Sequence, residues 1–302
     1  MPLTRSSATP PSIAPLENRG LLRLSGEDAT VFLQGVVSTD VRKVSAHRAV
    51  FGALLTPQGK YLFDFFVFAL NGDFYLDGEK ARLADLKKRL TLYKLRAKVT
   101  IEEAEAFRVH AFFGEGALAK LGLPEEEGAA KPFEGGLLYA DPRLAAAGAR
   151  AALPVHATPQ AAGFAASDFA TYDRFRMSLG LPDGSRDLAP EKSTLLEYGF
   201  DELNGIDWRK GCYIGQEVTA RMKHRGLVRK RLLPVTFAGD PPPAGTPVLH
   251  EGREVGVLCS AAEGMGLALL QLAAVEDAGG GNAPLLAGAT RLTPHRPSWM
   301  RA

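Results

Sequence analysis

From residue 232 to residue 293 the chain is cut into strand-length apolar runs, at 232–237, 247–250, 254–260, 266–273 and 290–293, separated by glycine-containing turns. Short strands at this spacing predict a small antiparallel barrel, because closure leaves no edge strand open. Asp240-Pro-Pro-Pro-Ala-Gly245 is a stiff connection within it. The change of texture sets a domain boundary at residues 228–230, with the barrel over 229–302. A chain of 302 residues is long enough for two or three lobes, so what lies upstream must bury a core of its own.

Upstream, Leu21–Leu24, Val50–Leu55 and Tyr61–Leu70 are β-rich runs. The last two are joined by Thr56-Pro-Gln-Gly-Lys60, where Pro57 followed by Gly59 suits a type II turn, so a hairpin is expected. Asn71-Gly72-Asp73 then turns into Phe74–Leu76. Apolar residues at 83, 86, 90 and 93 recur at helical spacing within 79–93. Strands are expected at 97–101 and 107–113, and helices at 115–121, 167–180 and 216–224. Ser25 and Ser167 are the expected helix caps, the first opening a helix with Val31 and Phe32 on its apolar face. The Ala-, Gly- and Pro-rich stretch 122–160 gives no usable pattern, and residues 1–18, with four prolines and no continuous apolar core, read as a disordered tail.

A net charge of only +2 implies no nucleic-acid or membrane partner on bulk grounds. Two cysteines, Cys212 and Cys259, argue against a secreted disulfide framework and for a reducing, cytoplasmic setting. Nor can two thiolates supply the four ligands of a self-contained iron–sulfur cluster. Tyr61–Leu70 carries Asp64 and is too short to span a bilayer. The six histidines lack metal-site spacing, and no lysine–hydroxyl pair follows Gly279-Gly-Gly281, so neither a metal centre nor a phosphate loop is expected. Cys259 reads as filler of a barrel strand, and His295 and Trp299 as residues that pack the tail on the barrel.

Chemistry concentrates in residues 208–226. Gly211 and Gly215 bracket Cys212 and Tyr213, so the backbone can turn sharply and come close to a ligand. Cys212 precedes a helix start and follows Lys210 by two residues; both features lower a thiol pKa when the side chain is exposed. The competing reading is a small buried hydrophobe. Between 209 and 231 eight basic residues face one acid, Glu217, which reads either as a solvated face or as a site for a carboxylate, a phosphate or RNA.

Lys210-Gly-Cys-Tyr-Ile-Gly-Gln-Glu217 resembles the K-G-C-Y-x-G-Q-E signature of the YgfZ family, relatives of the glycine-cleavage T-protein, at every fixed position. The likeness extends through Gly26–Ala29, Phe32–Gln34, Asp40-Val41, the hairpin from Leu55 to Lys60 and the segment Asp173–Gly180. It implies an α+β fold with a T-protein-like three-lobed arrangement: two α+β lobes around a central cavity plus the C-terminal barrel. One lobe would be discontinuous, 19–50 with 155–228, around an inserted ferredoxin-like lobe at 51–154.

The resemblance further implies a tetrahydrofolate-binding accessory protein in iron–sulfur cluster assembly or repair, with iron–sulfur enzymes, including tRNA-thiolating ones, as clients. Cys212 would be the reactive thiol beside the folate cavity. Asp64, or its neighbour, would stand at the T-protein's aspartate; a satisfied inward carboxylate reads equally well there. Trp208 and Tyr213 would stack on the pterin, and Lys210 or Arg221 would pair with the glutamate tail. Gly211, Gly215, Gln216 and Glu217 would shape the loop, the last two by bonding backbone amides or by facing the ligand. Ser178 falls where the T-protein carries a pterin-recognising glutamate, and a serine lacks the two-oxygen acceptor that an aminopyrimidine edge needs. A folate-dependent aminomethyl or one-carbon transferase is therefore the alternative reading, and an RNA- or protein-binding module built on 209–231 the second. In a eukaryote the setting would be the mitochondrial matrix.

Overall fold

In the computed structural model, which describes residues 9–157, 159, 162–281 and 283–301, the chain divides into two compact units. Unit 1 comprises residues up to 54, 63–172 and 203–214; unit 2 comprises 55–62, 173–202 and 215 onward.

Unit 1 is built on two sheets. The first runs in the order β3 (Val50–Leu55), β4 (Tyr61–Leu70), β5 (Asp73–Glu79), β2 (Arg19–Ser25), β6 (Thr100–Glu103). The second runs β11 (Ala165–Ala166), β1 (Ser12–Pro15), β7 (Phe107–Phe113), β10 (Ala149–Pro154), β9 (Gly136–Ala140), β8 (Ala130–Phe133). They meet through aromatic rings: Tyr139 of β9 lies 6.3 Å from Phe66 and 5.5 Å from Phe68 of β4. On the first sheet lies helix α2 (Leu83–Lys94), whose buried Leu83 and Leu86 come within 3.1 Å of where a side chain on Gly20 would stand and 3.5 Å of one on Gly78. With both faces covered, β3 and most of β4 read as unbroken apolar runs rather than as an alternation.

A buried polar cluster ties the two sheets. Asp77 of β5 accepts from Arg19 at 2.7 Å, from Arg150 of β10 at 2.7 Å and from the Tyr139 hydroxyl at 3.2 Å. Burial alone would raise the Asp77 carboxyl, but the Arg150 and Arg19 charges outweigh it and hold it below the usual carboxylate range.

The disordered tail expected over 1–18 is corrected at its end. Residues 12–15 form β1, antiparallel to β7, with Ala14 opposite Ala111 and fully buried. Pro10 and Pro11 precede the strand and Pro15 closes it, positions that cost no ladder hydrogen bond in mid-strand. Residues 1–8 lie outside the described residues. The expected partition into a lobe over 19–50 and an insert over 51–154 does not follow the sheets either, since β2 pairs with β5 on one side and β6 on the other. The unpatterned stretch 122–160 holds β8, β9 and β10. They lack a regular alternation of apolar and polar residues, and a side chain at Gly136 would fall 1.9 Å from the Ala152 carbonyl oxygen.

Two expected caps are displaced. Ser25 ends β2, and α1 (Ala29–Val36) starts after Asp28 with Phe32, Leu33 and Val36 buried but Val31 76% exposed. Helix α4 (Phe169–Ser178) opens after Asp168, whose carboxylate accepts from the Thr171 amide at 2.9 Å, so the cap is Asp168 and not Ser167. A short helix α3 (Ala117–Lys120) follows β7.

Unit 2 carries the barrel, a closed antiparallel ring in the order β12 (Lys230–Thr236), β15 (Met265–Gln271), β14 (Arg253–Ala262), β13 (Pro247–His250), β16 (Leu285–Ala287), β17 (Thr290–Pro294). Inward residues Val235, Val248, Leu258, Leu270 and Leu292 fill it. The sequence reading missed β16 and the helix α6 (Leu272–Gly279), whose Ala274 joins the same core. Cys259 is buried, and burial pushes its thiol up to about 12, as befits a core residue. Arg176 of α4, only 2% exposed, donates to Asp187 at 2.5 Å, Asp173 at 2.6 Å and Ser260 of β14 at 3.2 Å. His295 bonds Thr236 of the barrel at 2.7 Å, whereas Trp299 donates to the Leu179 carbonyl at 2.7 Å, beyond α4. No helix among the described residues is long and apolar enough to cross a membrane.

Candidate functional site

The segment 203–214 is folded onto α1 by a set of main-chain clamps. Ser38 donates its hydroxyl to the Gly205 carbonyl at 2.6 Å and accepts from the Ala53 amide at 2.8 Å, while its carbonyl receives the Asp207 amide at 2.9 Å. Asp207 in turn accepts from the Arg209 amide at 2.8 Å and from the Lys43 ammonium at 2.5 Å. Gln34, on α1, accepts from the Val41 amide at 3.1 Å and donates to the Lys210 carbonyl at 3.1 Å. Sequence reasoning assigned no role to Gln34, Ser38 or Asp207. The one available signal was a polar side chain standing in an otherwise apolar helix, Phe32-Leu-Gln34.

Lys210 is 5% exposed, and its ammonium donates to the carbonyl oxygens of Gln34, at 2.7 Å, and of Val37. A cation thus caps the C-terminal end of α1, where carbonyls have no intrahelical donors. Burial lowers its pKa to about 8, with Asp40 and Asp207 opposing part of that effect. Its expected pairing with a glutamate tail is replaced by these internal bonds. Tyr213 is nearly buried beneath the same ammonium, 5.3 Å from ring centre to Nζ, so little of its ring is open to a stacked pterin.

Between these two side chains the backbone turns outward and Cys212 is exposed. Gly211 takes φ +95°, with nothing within 4 Å of where its Cβ would be. Gly215 has φ +81° and a different reason to be glycine: a Cβ there would stand 2.4 Å from the Thr56 carbonyl oxygen and 3.0 Å from Gly59 Cα. The close approach foreseen for this glycine is made to the tip of the 56–60 turn. Gln216, Glu217 and Arg221 lie on α5 (Gln216–His224) of unit 2, and the exposed carboxylate of Glu217 accepts from Arg221 one turn on. Asp64 is buried within β4 of unit 1, and Ser178 bonds the Phe175 carbonyl at 2.6 Å.

Unit 1 has a cleft of about 410 Å³ beside this segment, walled by Phe51, Asn204, Trp208 and Arg209 with Lys43 and Arg48 among its cations. Trp208 is partly exposed, and the Arg209 guanidinium has no partner among the described residues. In the barrel, His250, Glu251 and Asp277 group as metal ligands can, but His250 already shares a 2.7 Å bond with Asp277, which raises its pKa.

Residues 229–302 match the family of CAF17 C-terminal β-barrel domains. Over 275 residues the chain is 34% identical to the human mitochondrial iron–sulfur cluster assembly factor IBA57, covering 84% of this chain and 76% of that protein. The mouse counterpart is 33% identical over 278 residues, 85% of this chain and 76% of the relative. The fold matches the crystal structure of the glycine cleavage system aminomethyltransferase T from Bartonella henselae with a TM-score of 0.76, over 97% of this chain and 87% of that one, at 16% identity.

Proposed function

The chain belongs to the IBA57 family of iron–sulfur cluster assembly factors, and from that premise we propose that it is a tetrahydrofolate-binding accessory protein of the YgfZ type that acts on client proteins through Cys212. The observation that carries this reading is the exposed thiol at a glycine-hinged bend whose two flanking residues, Lys210 and Tyr213, are buried. A bend fixed on both sides holds its tip out for a partner. Only one of the two cysteines is exposed, so the protein's part in assembly is to lend a ligand or a nucleophile to a cluster held mainly by another chain, not to house one.

Folate binding rests on the fold of the T-protein and on the unit 1 cleft. Its volume of about 410 Å³ falls within the range of about 300–1,000 Å³ usual for small-molecule sites. There Trp208 offers a face for a planar ring and Arg209 an unpaired guanidinium for a carboxylate. Bound folate would supply a one-carbon acceptor or donor, whereas these residues only bind and orient it. Ser178 spends its hydroxyl on the Phe175 carbonyl, which favours the accessory role over the aminomethyltransferase. In a eukaryotic cell the protein would work in mitochondria, as its human and mouse relatives are named; in a bacterium, in the cytoplasm.

Thermal-shift titration with tetrahydrofolate tests the ligand: a ligand bound only by the folded state raises apparent stability by mass action. Wild type should be stabilised and Trp208→Ala/Arg209→Ala much less so; no shift at saturating folate sinks the folate half. Complementation tests the thiol: Cys212→Ala should fold normally and fail to restore iron–sulfur enzyme activity in a strain lacking the protein, and full rescue would end that assignment.

A further inference from the structure

Helix α2 buries Leu83, Leu86 and Leu90 against the sheet, and on its opposite face Ala84, Lys88 and Leu92 follow one another at single-turn spacing. Leu92 is 60% exposed, and Leu95, just past the helix end, is 85% exposed. Leu95 also holds a backbone conformation that leucine rarely adopts, φ +46° and ψ −110°. The next residues are pinned. Ala97 donates to the Lys94 carbonyl at 2.8 Å and the Lys94 ammonium donates to the Val99 carbonyl at 2.5 Å. The Lys98 amide donates to Asp28 at 2.8 Å. The fold therefore spends backbone strain to keep a leucine in water, an arrangement that persists where the side chain has a use.

Charge describes the rest of this face. Residues 80–98 contain eight basic side chains and one acid, Asp85. Lys94 and Lys98 are engaged internally, and Arg82 lies over the Phe63 ring at 4.3 Å. Lys87, Lys88, Arg89 and Arg96 have no acidic partner among the described residues. Two protruding leucines among unpaired cations have the anatomy of a protein-docking patch, an apolar centre with a charged rim.

We propose that the surface formed by Lys88 and Leu92 of α2 with Leu95 and Arg96 just beyond its end docks a protein partner whose own surface is acidic around an apolar socket. A membrane surface fits less well, because the helix's broad apolar stripe is already spent on the core and only two leucines remain to insert. Nucleic acid would meet leucines at the centre of its contact. The inference rests on the assembly-factor role, which requires protein partners, and is independent of folate.

The test uses the full chain with three probes: an acidic amphipathic helical peptide bearing leucines on one face, the same peptide with serine in their place, and phosphatidylcholine vesicles with and without phosphatidylglycerol. Fluorescence anisotropy and sedimentation report binding at low and physiological salt. The leucine peptide should bind wild type, and Leu92→Ser/Leu95→Ser should weaken it about tenfold or more. Lys88→Glu/Arg96→Glu should weaken it and flatten its salt dependence. Equal binding of the serine peptide, binding of anionic vesicles instead of the peptide, or unaltered affinity in both variants overturns the proposal. In a strain lacking the protein, Leu92→Ser/Leu95→Ser should impair iron–sulfur enzyme activity with an unaltered Tm and folate shift, which separates its failure from that of the folate reading. Full rescue by that variant also overturns it.

Discussion

Replacing Lys210 with methionine separates two roles that one residue could have, ligand reader or structural clamp. In the fold its ammonium is spent on the Gln34 and Val37 carbonyls at the end of α1. Methionine keeps the stem and leaves both acceptors without their donor, at a cost of about 2–3 kcal/mol. For a unit of this size that corresponds to a fall in Tm of about 4–12 °C. The pH dependence carries its own sign. With a folded pKa near 8 against an ordinary 10.5, both states hold the proton below pH 8 and the gap between wild type and variant is flat. From pH 8 to 10.5 the unfolded lysine retains a proton that the folded one has released, so wild-type stability climbs relative to the variant. Once solvent screening is discounted, the gap should widen by about 1–2 kcal/mol. Urea denaturation of both proteins across that range measures it. A variant of unaltered stability that loses folate affinity would refute the clamp and return Lys210 to the ligand, and a gap that narrows above pH 8 would refute the burial argument.

Three further expectations follow from particular contacts. Gly215→Ala should cost at least about 2 kcal/mol because its Cβ would stand 2.4 Å from the Thr56 oxygen, whereas Gly211→Ala, with open space beside it but φ +95°, should cost the backbone strain alone, about 1–2 kcal/mol; denaturant midpoints compare them. Asp77→Asn leaves Arg19 and Arg150 buried without a counter-charge and should cost about 3–5 kcal/mol. Since the folded carboxyl sits below its ordinary 3.8, that stability is complete at neutral pH and is lost as pH falls through the folded value, so the gap to the variant should close in acid unfolding. Iodoacetamide on the native protein should alkylate Cys212 and spare Cys259, whose burial holds its thiol near 12; peptide mass spectrometry reads this directly, and modification of both before unfolding would contradict the fold of the barrel.

Five of the six barrel strands were legible because they keep inward residues in step between turns that carry a glycine, a local signal that needs no partner to be read, whereas the three-residue β16 is too short to give one. The missed elements lacked such a signal. Strands β8 to β10 are rich in Ala, Gly and Leu but interrupted by Lys131, Pro132, Arg150 and Pro154, and their identity is set by how near other backbones come, as the 1.9 Å at Gly136 shows. In the same way β1 is a strand only because β7 and β11 flank it. Val31 keeps helical spacing with buried neighbours and still points to water, since spacing fixes a stripe's period but not where the stripe ends.

The candidate site divides along the same line. The glycines at 211 and 215 could be foreseen as bends, but not which of them faces open space and which faces the 56–60 turn. Lys210 belongs to the same motif as Cys212, and adjacency in sequence made both look like ligand residues. Their side chains part company because the bend between them sends the ammonium into the end of α1 and the thiol outward. The buried lysine and tyrosine fix the bend that presents the thiol, so the motif's letters serve two different ends. A motif read as one site is then a support and a tip, and only the tip is free to meet a partner.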